Sequence, residues 1–155
     1  MAKLSDYQEF LEKVRIPLRL ACKTESGWPM ILSLWFIYID GSLYCATRGN
    51  ARLVTYLLNN KECAFEIAAD SPPYCGIRGQ ARAEIDQQRG VEILELLLDR
   101  YIGSRDNSLA EKLLENSIDE VAIRLDPVNI FSWDFSTRMQ DVSSKMGLLN
   151  AKICP

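Results

Sequence analysis

The stretch GWPMILSLWFIYIDGSLYCATRGNAR, residues 27–52, decides the fold of this chain. An Asp-Gly pair at positions 40–41 separates two runs rich in β-branched and aromatic residues. Such a pair predicts a β-hairpin, because a type I′ turn needs positive φ at both central residues. The first run, residues 30–39, is apolar on both faces. It therefore predicts a strand that is buried on both sides or partly covered by a ligand.

The second run of the hairpin ends in a polar loop. Residues 43–47 are followed by Arg48-Gly49-Asn50-Ala51-Arg52, and a helical pattern starts directly afterwards. A strand that leads into a glycine-containing loop and a helix N-terminus is suited to bind an anion.

Periodicity outside this stretch predicts a mainly β chain with a few helices. Alternating apolar residues predict strands at 18–23, 62–68, 74–85, 121–125 and 129–135. Apolar residues at helical spacing predict helices at 6–14, 51–58, 87–101 and 109–114. Together these elements indicate an antiparallel barrel with peripheral helices (α+β), formed as one domain over residues 1–155.

Composition excludes several classes of function. The chain has 155 residues, a formal net charge of −3 and no histidine. The missing histidine removes Ser-His-Asp and Cys-His nucleophiles, His-ligated haem and most zinc sites. The acidic balance disfavours nucleic-acid binding. No run of ~18 apolar residues and no signal peptide is present, so we expect a cytoplasmic protein without a membrane span.

Five cysteines are present, an odd number without a Cys-x-x-Cys pair. Three of them lie inside apolar strand patterns. For a cytoplasmic protein this usage predicts reduced thiols rather than a disulfide framework. The cysteines are Cys22, Cys45, Cys63, Cys75 and Cys154.

The order of motifs resembles the flavin-binding split-barrel proteins related to pyridoxamine 5′-phosphate oxidase. The resemblance rests on Gly-x-Pro at 27–29, Trp-Phe at 35–36, Asp-Gly-x-Leu-Tyr at 40–44, and a threonine, small-residue loop and cation at 47–52. It extends over roughly residues 18–134. It implies a split β-barrel and a homodimer that holds flavin mononucleotide (FMN) at the subunit interface.

The resemblance also implies a set of cofactor-binding residues. Arg52 takes the place of a phosphate-binding cation, although a shift of one residue would put Leu53 there, and a solvated helix charge is the alternative. The strand 32–35 would run beside the isoalloxazine ring, with plain core packing as the alternative for its apolar members. Tyr74 would reach the flavin from the second subunit. The full set is Leu32, Ser33, Leu34, Trp35, Thr47, Arg48, Asn50, Arg52, Tyr74 and Trp133.

Departures from the oxidase pattern indicate a relative of that enzyme rather than the enzyme itself. Met30 stands where the oxidase has a phosphate-binding arginine, and Trp35 where it has a substrate-binding lysine. Asp141 stands about where its substrate-binding histidine would be. The segment Tyr101-x-x-Ser104-Arg105 resembles the substrate-phosphate motif of the oxidase.

The leading hypothesis is an FMN-dependent oxidoreductase of a small organic molecule, reduced by NAD(P)H or by a partner protein. The alternative is a protein that binds a flavin or the deazaflavin F420 for storage or sensing. The flavin ring itself supplies redox chemistry, so the lack of histidine fits either hypothesis. The sequence assigns no catalytic residue and no metal ligand.

Overall fold

The computed structural model describes residues 2–103, 108–139 and 154–155. Within those ranges the chain forms seven strands and four α-helices, with short 3₁₀ turns between them. The strands are β1 (Leu18–Lys23), β2 (Pro29–Leu34), β3 (Ile37–Ile39), β4 (Ser42–Arg48), β5 (Glu62–Ala68), β6 (Cys75–Asp86) and β7 (Glu120–Asp134). The helices are α1 (Gln8–Lys13), α2 (Arg52–Asn59), α3 (Gly90–Tyr101) and α4 (Ser108–Glu115).

All seven strands belong to one antiparallel sheet in the order β2-β1-β5-β6-β7-β4-β3. The two edge strands, β2 and β3, are consecutive in the chain. Residues from both halves of the sheet, such as Leu20 of β1 and Leu43 of β4, meet in one buried core. The sheet therefore curls into a barrel that is split between β2 and β3, which confirms the predicted fold class.

The hairpin at Asp40-Gly41 is confirmed, because Asp40 has φ 47° and Gly41 has φ 87°. The run 30–39 is nevertheless not one strand. It divides at Trp35-Phe36, so that β2 pairs with β1 and β3 pairs with β4. The prediction that this run is buried on both faces is also wrong within a single copy of the chain. The residues of β2 alternate in exposure, and Ile31 is 70% exposed.

The strands predicted at 121–125 and 129–135 are one continuous strand, β7. Its pairing with β6 shifts register between Gln80 and Ala81, where Pro127 and Val128 add a bulge. A bulge accommodates a proline because the local ladder is already interrupted. Gly79 lies beside it, and a Cβ atom at this position would come within 2.3 Å of the Asn129 carbonyl oxygen.

Helices close the barrel and cover part of its outside. Leu11 of α1 and Leu57 of α2 insert into the main core. On the outer face, α3 packs Ile93 and Leu97 over β4 and β7, against Tyr44. The outer faces of β1, β5 and the first half of β6 have no such cover among the described residues.

The cysteine prediction is partly wrong. Cys22, Cys45 and Cys63 are buried free thiols, as expected. Cys75 and Cys154 form a disulfide instead of remaining reduced. Sequence spacing gave no sign of this pair, because the two residues are 79 positions apart. The predicted features at Ser104, Arg105 and Asp141 lie outside the described residues.

Candidate functional site

The ring strand predicted at 32–35 covers the last three residues of β2, an edge strand of the sheet, and Trp35 directly after it. Leu32 and Leu34 are half-buried and pack against the main core, as the alternative interpretation expected. Ser33 points to the outer face, where it pairs with Arg19 of β1. Ser33 is therefore exposed to solvent.

Trp35 begins the crossover from β2 to β3 and stacks on Tyr101 of α3. The ring centroids are 5.1 Å apart and the ring planes differ by 6°. The Tyr101 hydroxyl accepts a hydrogen bond from the Phe36 amide at 3.3 Å and donates one to the Ile16 carbonyl at 3.2 Å. Burial raises the pKa of Tyr101 above its ordinary value, so the phenol remains a hydrogen-bond donor at neutral pH.

Arg100 connects the Trp35-Phe36 crossover to helix α1. Its guanidinium lies over the Phe36 ring at 5.0 Å. It donates hydrogen bonds to the carbonyls of Leu11, Glu12 and Val14 at the C-terminal end of α1. Burial lowers the pKa of Arg100 from its ordinary value. Sequence reasoning missed this role, because Arg100 falls on a regular helix pattern without any motif.

The predicted phosphate loop connects β4 to α2. Thr47 is half-buried on β4, whereas Arg48, Asn50 and Arg52 are exposed. Within the described part of the chain, neither Arg48 nor Arg52 forms a salt bridge. Helix α2 has no acidic residue in its first turn and no side-chain cap. The partial positive charge of its N-terminus is therefore not offset by its own sequence.

Some amides of the loop are already used inside the protein. The Gly49 N–H donates to the Asp119 carbonyl at 2.7 Å, and the Ala51 N–H donates to the Arg48 carbonyl at 2.9 Å. A phosphate at this loop would therefore depend on the two arginine side chains and on the first turn of α2. This is a narrower donor set than the sequence alone suggested.

A polar cavity of about 570 Å³ lies on the other side of the loop. It is lined by Gly49 and Asn50 together with residues that precede and begin β7, including Asp119 and Glu120. Burial raises the pKa of the Glu120 carboxyl above its ordinary value, while the charge of Arg48 opposes this. Arg48 and Glu120 are paired positions on β4 and β7, so one arginine of the loop lies close to a carboxylate.

The remaining predicted residues lie at the far end of the sheet. Trp133 pairs with Gly76, and the Arg78 guanidinium lies over the Trp133 ring at 5.5 Å. The Tyr74 carbonyl accepts a hydrogen bond from the Phe135 amide at 3.0 Å, and the Tyr74 residue is 41% exposed. Tyr74, Arg78 and Trp133 are thus neighbours at this end of the sheet.

A groove of about 520 Å³ crosses the uncovered outer face. Small residues of β1 and β5, Ala21 and Ala64, form its floor, and Arg19, Arg78 and Phe131 line its sides. The charges of two lining residues, Arg19 and Glu66, are paired within the protein. Arg19 forms ion pairs with Glu66 and with Asp70. The groove volume is in the range of ligand pockets and interface clefts.

Solved structures that resemble this chain include a conserved hypothetical protein, Rv2991, from Mycobacterium tuberculosis. Its TM-score is 0.71 at 19% identity, over 98% of this chain and 91% of that one. An F420 reductase gives a TM-score of 0.63 at 21% identity, over 79% and 94% of the two chains. A provisionally named pyridoxamine 5′-phosphate oxidase from Listeria innocua gives 0.63 at 18% identity, over 83% and 95%.

The fold is the split barrel of the pyridoxamine 5′-phosphate oxidase-like proteins. Identities of 18–21% establish this split-barrel fold alone. No protein-family model matches the sequence, and no curated protein is significantly similar to it.

Within one split barrel, the predicted site residues fall into separate groups. Arg48 pairs with Glu120 at one end of β7, and Trp133 lies near the other end. The thirteen intervening steps amount to roughly 40 Å of strand length at about 3.3 Å per residue. One copy of the chain therefore places Arg48 and Trp133 at opposite ends of β7.

Two other kinds of site find no support among the described residues. No group of three or more cysteine, aspartate and glutamate side chains is arranged to hold a metal ion in residues 2–103, 108–139 and 154–155. None of the helices in the described ranges is both long and apolar enough to cross a lipid bilayer.

Proposed function

We propose that this protein binds FMN and acts as an oxidoreductase on a small organic molecule, as a homodimer with the flavin between its subunits. One observation carries the proposal: two exposed arginines, neither of them in a salt bridge with a described residue, flank the loop that leads from β4 into helix α2. The fold similarity to the oxidase-like proteins and to an F420 reductase supports it.

The loop between β4 and α2 fits the phosphate end of the cofactor. Arg48 and Arg52 are exposed cations that form no salt bridge with the described residues, and of the two only Arg48 is paired across the sheet with a carboxylate, that of Glu120. Charge-assisted hydrogen bonds to phosphate are the strongest that such side chains make. The first turn of α2 adds backbone N–H groups and a helix dipole of the right sign. Thr47 and Asn50 supply neutral polar groups beside them.

The edge strand β2 fits the flavin ring. The sheet ends at β2 within the described residues, so one side of its backbone pairs with no further strand. Backbone donors and acceptors along an unpaired edge match the pyrimidine side of an isoalloxazine ring. Helix α2, which follows the loop, packs against β1, the neighbour of β2, and against β6.

A second copy of the chain would supply the other wall of the site. Ile31 and Phe131 are 70% and 59% exposed on the uncovered outer face, and apolar surface of this kind is typical of an interface. Tyr74 and Trp133 lie at the end of the sheet that is opposite to Arg48. A two-fold dimer is the commonest arrangement that would bring them to the partner's loop.

A bound flavin would supply the redox chemistry, with NAD(P)H or a partner protein as the proposed source of electrons. The protein has to bind the cofactor, orient it and exclude water. The chain is not expected to oxidise pyridoxamine 5′-phosphate. Met30 and Trp35 replace a phosphate-binding arginine and a substrate-binding lysine of the oxidase, and Trp35 is held against Tyr101.

A deazaflavin such as F420 is the alternative cofactor, because an F420 reductase is among the similar folds. Binding of such a cofactor without turnover would indicate a storage or sensing protein. The two cofactors have different absorption spectra, and they are compared on the same protein sample.

The test is reconstitution of purified protein with FMN and, separately, with F420. We expect saturable quenching of FMN fluorescence with a dissociation constant in the micromolar range or tighter. Titration of FMN without saturable quenching would refute FMN binding, and saturation by F420 alone would establish the alternative. Oxidation of NADH or NADPH by the loaded protein then separates an enzyme from a binding protein.

A further inference from the structure

The end of the chain is covalently attached beside the proposed closing residues. A disulfide joins Cys75, the first residue of β6, to Cys154, with a Cα–Cα distance of 5.6 Å. Cys75 directly follows Tyr74 and pairs with Asp134 at the end of β7. The disulfide therefore ties the C-terminus to the end of the sheet that carries Tyr74 and Trp133.

The two sulfur atoms differ in accessibility. Cys75 is 1% exposed, whereas Cys154 is only half-buried, with its Sγ 3.8 Å from the Ser136 hydroxyl oxygen. Cys154 is thus the more exposed residue of the pair, and it is the one that we expect an external thiolate to attack. The remaining cysteines are buried in the main core, and burial raises the pKa of Cys63 to about 12. They stay protonated and do not compete in exchange.

We propose that Cys75 and Cys154 form a reversible redox anchor, which fixes the Tyr74–Trp133 end of the sheet when oxidised and releases it when reduced. The reductant is a small dithiol or a protein with a dithiol pair. Its first thiolate attacks Sγ of Cys154, the disulfide bond breaks, and Cys75 leaves as a thiolate that takes up a proton. Its second thiol then displaces Cys154 and forms the reductant's own disulfide, so that two electrons are transferred.

Release of the anchor acts on two neighbouring backbone hydrogen bonds. The Ala69 amide donates to the Cys75 carbonyl, and the Phe135 amide donates to the Tyr74 carbonyl, both at 3.0 Å. Both bonds lie at the end of their strands, where the ladder is least supported. Without the covalent link this end opens more often, because local opening depends on local constraints. If the proposed function is correct, Tyr74 then contacts the flavin at the partner subunit's loop less often.

The first test is a thiol count in redox buffers. Protein equilibrated with oxidised or reduced dithiothreitol is denatured and alkylated with a maleimide, and the number of labels is read from its intact mass by mass spectrometry. We expect three labels for the oxidised form, on Cys22, Cys45 and Cys63, and five labels for the reduced form. Five labels under oxidising conditions would refute the pair. A disulfide that dithiothreitol reduces only after the protein is unfolded would refute reversibility.

The second test is hydrogen exchange on the oxidised and reduced wild type, on Cys154→Ser and on the control Cys22→Ala. Reduction and Cys154→Ser should both speed exchange at the Ala69 and Phe135 amides by about tenfold. Exchange in the ladder between β1 and β2 should not change. Cys22→Ala should retain the redox response. Equal exchange in oxidised and reduced protein would show that the disulfide anchors nothing.

The third test measures FMN affinity in both redox states. We expect the reduced form to bind FMN about tenfold more weakly, in parallel with the opening. Equal affinity in the two states would refute the link between the anchor and the cofactor site. If neither form binds FMN while thiol count and exchange still respond, the proposed function fails and the redox anchor stands.

Discussion

Replacement of Arg52 by alanine tests the phosphate end of the proposed site. Arg52 is the first residue of α2 and is exposed, and it forms no salt bridge with the described residues. Its removal leaves no internal group without a partner, so the free energy of unfolding should change by less than about 0.5 kcal/mol. Any loss of FMN affinity then reports on the ligand alone.

The size of this loss follows from the exposure of Arg52. A hydrogen bond to a charged group contributes about 1.5–3 kcal/mol, and a solvent-exposed cation lies at the lower end of that range. A loss of about 1.5 kcal/mol corresponds to about a tenfold rise in the dissociation constant of FMN. Riboflavin, which lacks the phosphate, should bind Arg52→Ala and wild type equally well.

Fluorescence-quenching titrations with FMN and riboflavin provide the assay. Arg52→Lys should retain most of the FMN affinity because it keeps the charge. Lys112→Ala is the matched control, since it removes one exposed positive charge from α4. Equal losses for FMN and riboflavin would mean that the substitution damages the fold. An unchanged FMN affinity would show that Arg52 is a solvated surface charge and would refute its role.

Further predictions concern the framework of the site. Gly90→Ala should destabilise the protein by about 3 kcal/mol in urea unfolding, because the added Cβ would lie 1.9 Å from the Glu120 carbonyl oxygen; Val91→Ala, at the next position, should be nearly neutral. Tyr101→Phe should cost about 1–3 kcal/mol in the same assay, since the Phe36 amide loses its acceptor; an unchanged midpoint would show that water replaces the hydroxyl. Burial raises the pKa of Glu120, so the folded state binds the carboxyl proton more tightly than the unfolded state does. The stability that this proton contributes is present at low pH and is lost as pH rises through the pKa of the folded state. Glu120→Gln should therefore gain stability relative to wild type as pH rises above about 4, the ordinary pKa of a glutamate, and a pH-independent difference would contradict this.

Local signals predicted much of the fold. The Asp40-Gly41 turn is encoded by two adjacent residues that accept positive φ, and the bounds of β1 and β5 follow from simple alternation. The division of the run 30–39 into β2 and β3 was not predictable in this way. Its apolar pattern continues across Trp35-Phe36, and the break is set by α3, which lies far away in sequence.

The candidate site was predictable only in pieces. The cations at 48–52 follow from a strand, loop and helix that are contiguous in sequence. The roles of Arg100 and Tyr101 depend on contacts with residues more than 60 positions away, such as Phe36 and Leu11. The Cys75–Cys154 bond likewise depends on tertiary structure. The exposure of Ser33 and Ile31 was not predictable either, because alternation fixes which residues share a face but not which face is buried.

The central claim is a flavin site shared between two copies of the chain, and mixing two defective variants tests it directly. Arg52→Ala removes the phosphate cation, and Trp133→Ala removes the proposed partner wall. Each variant alone should bind FMN weakly and should be a dimer by light scattering. After the two are unfolded and refolded together, about half of the dimers should be mixed. Each mixed dimer should regain one site of wild-type affinity, formed by Arg52 of one copy and Trp133 of the other. If both residues act within the same chain, the mixture would show no tight site, and a shared site would be refuted.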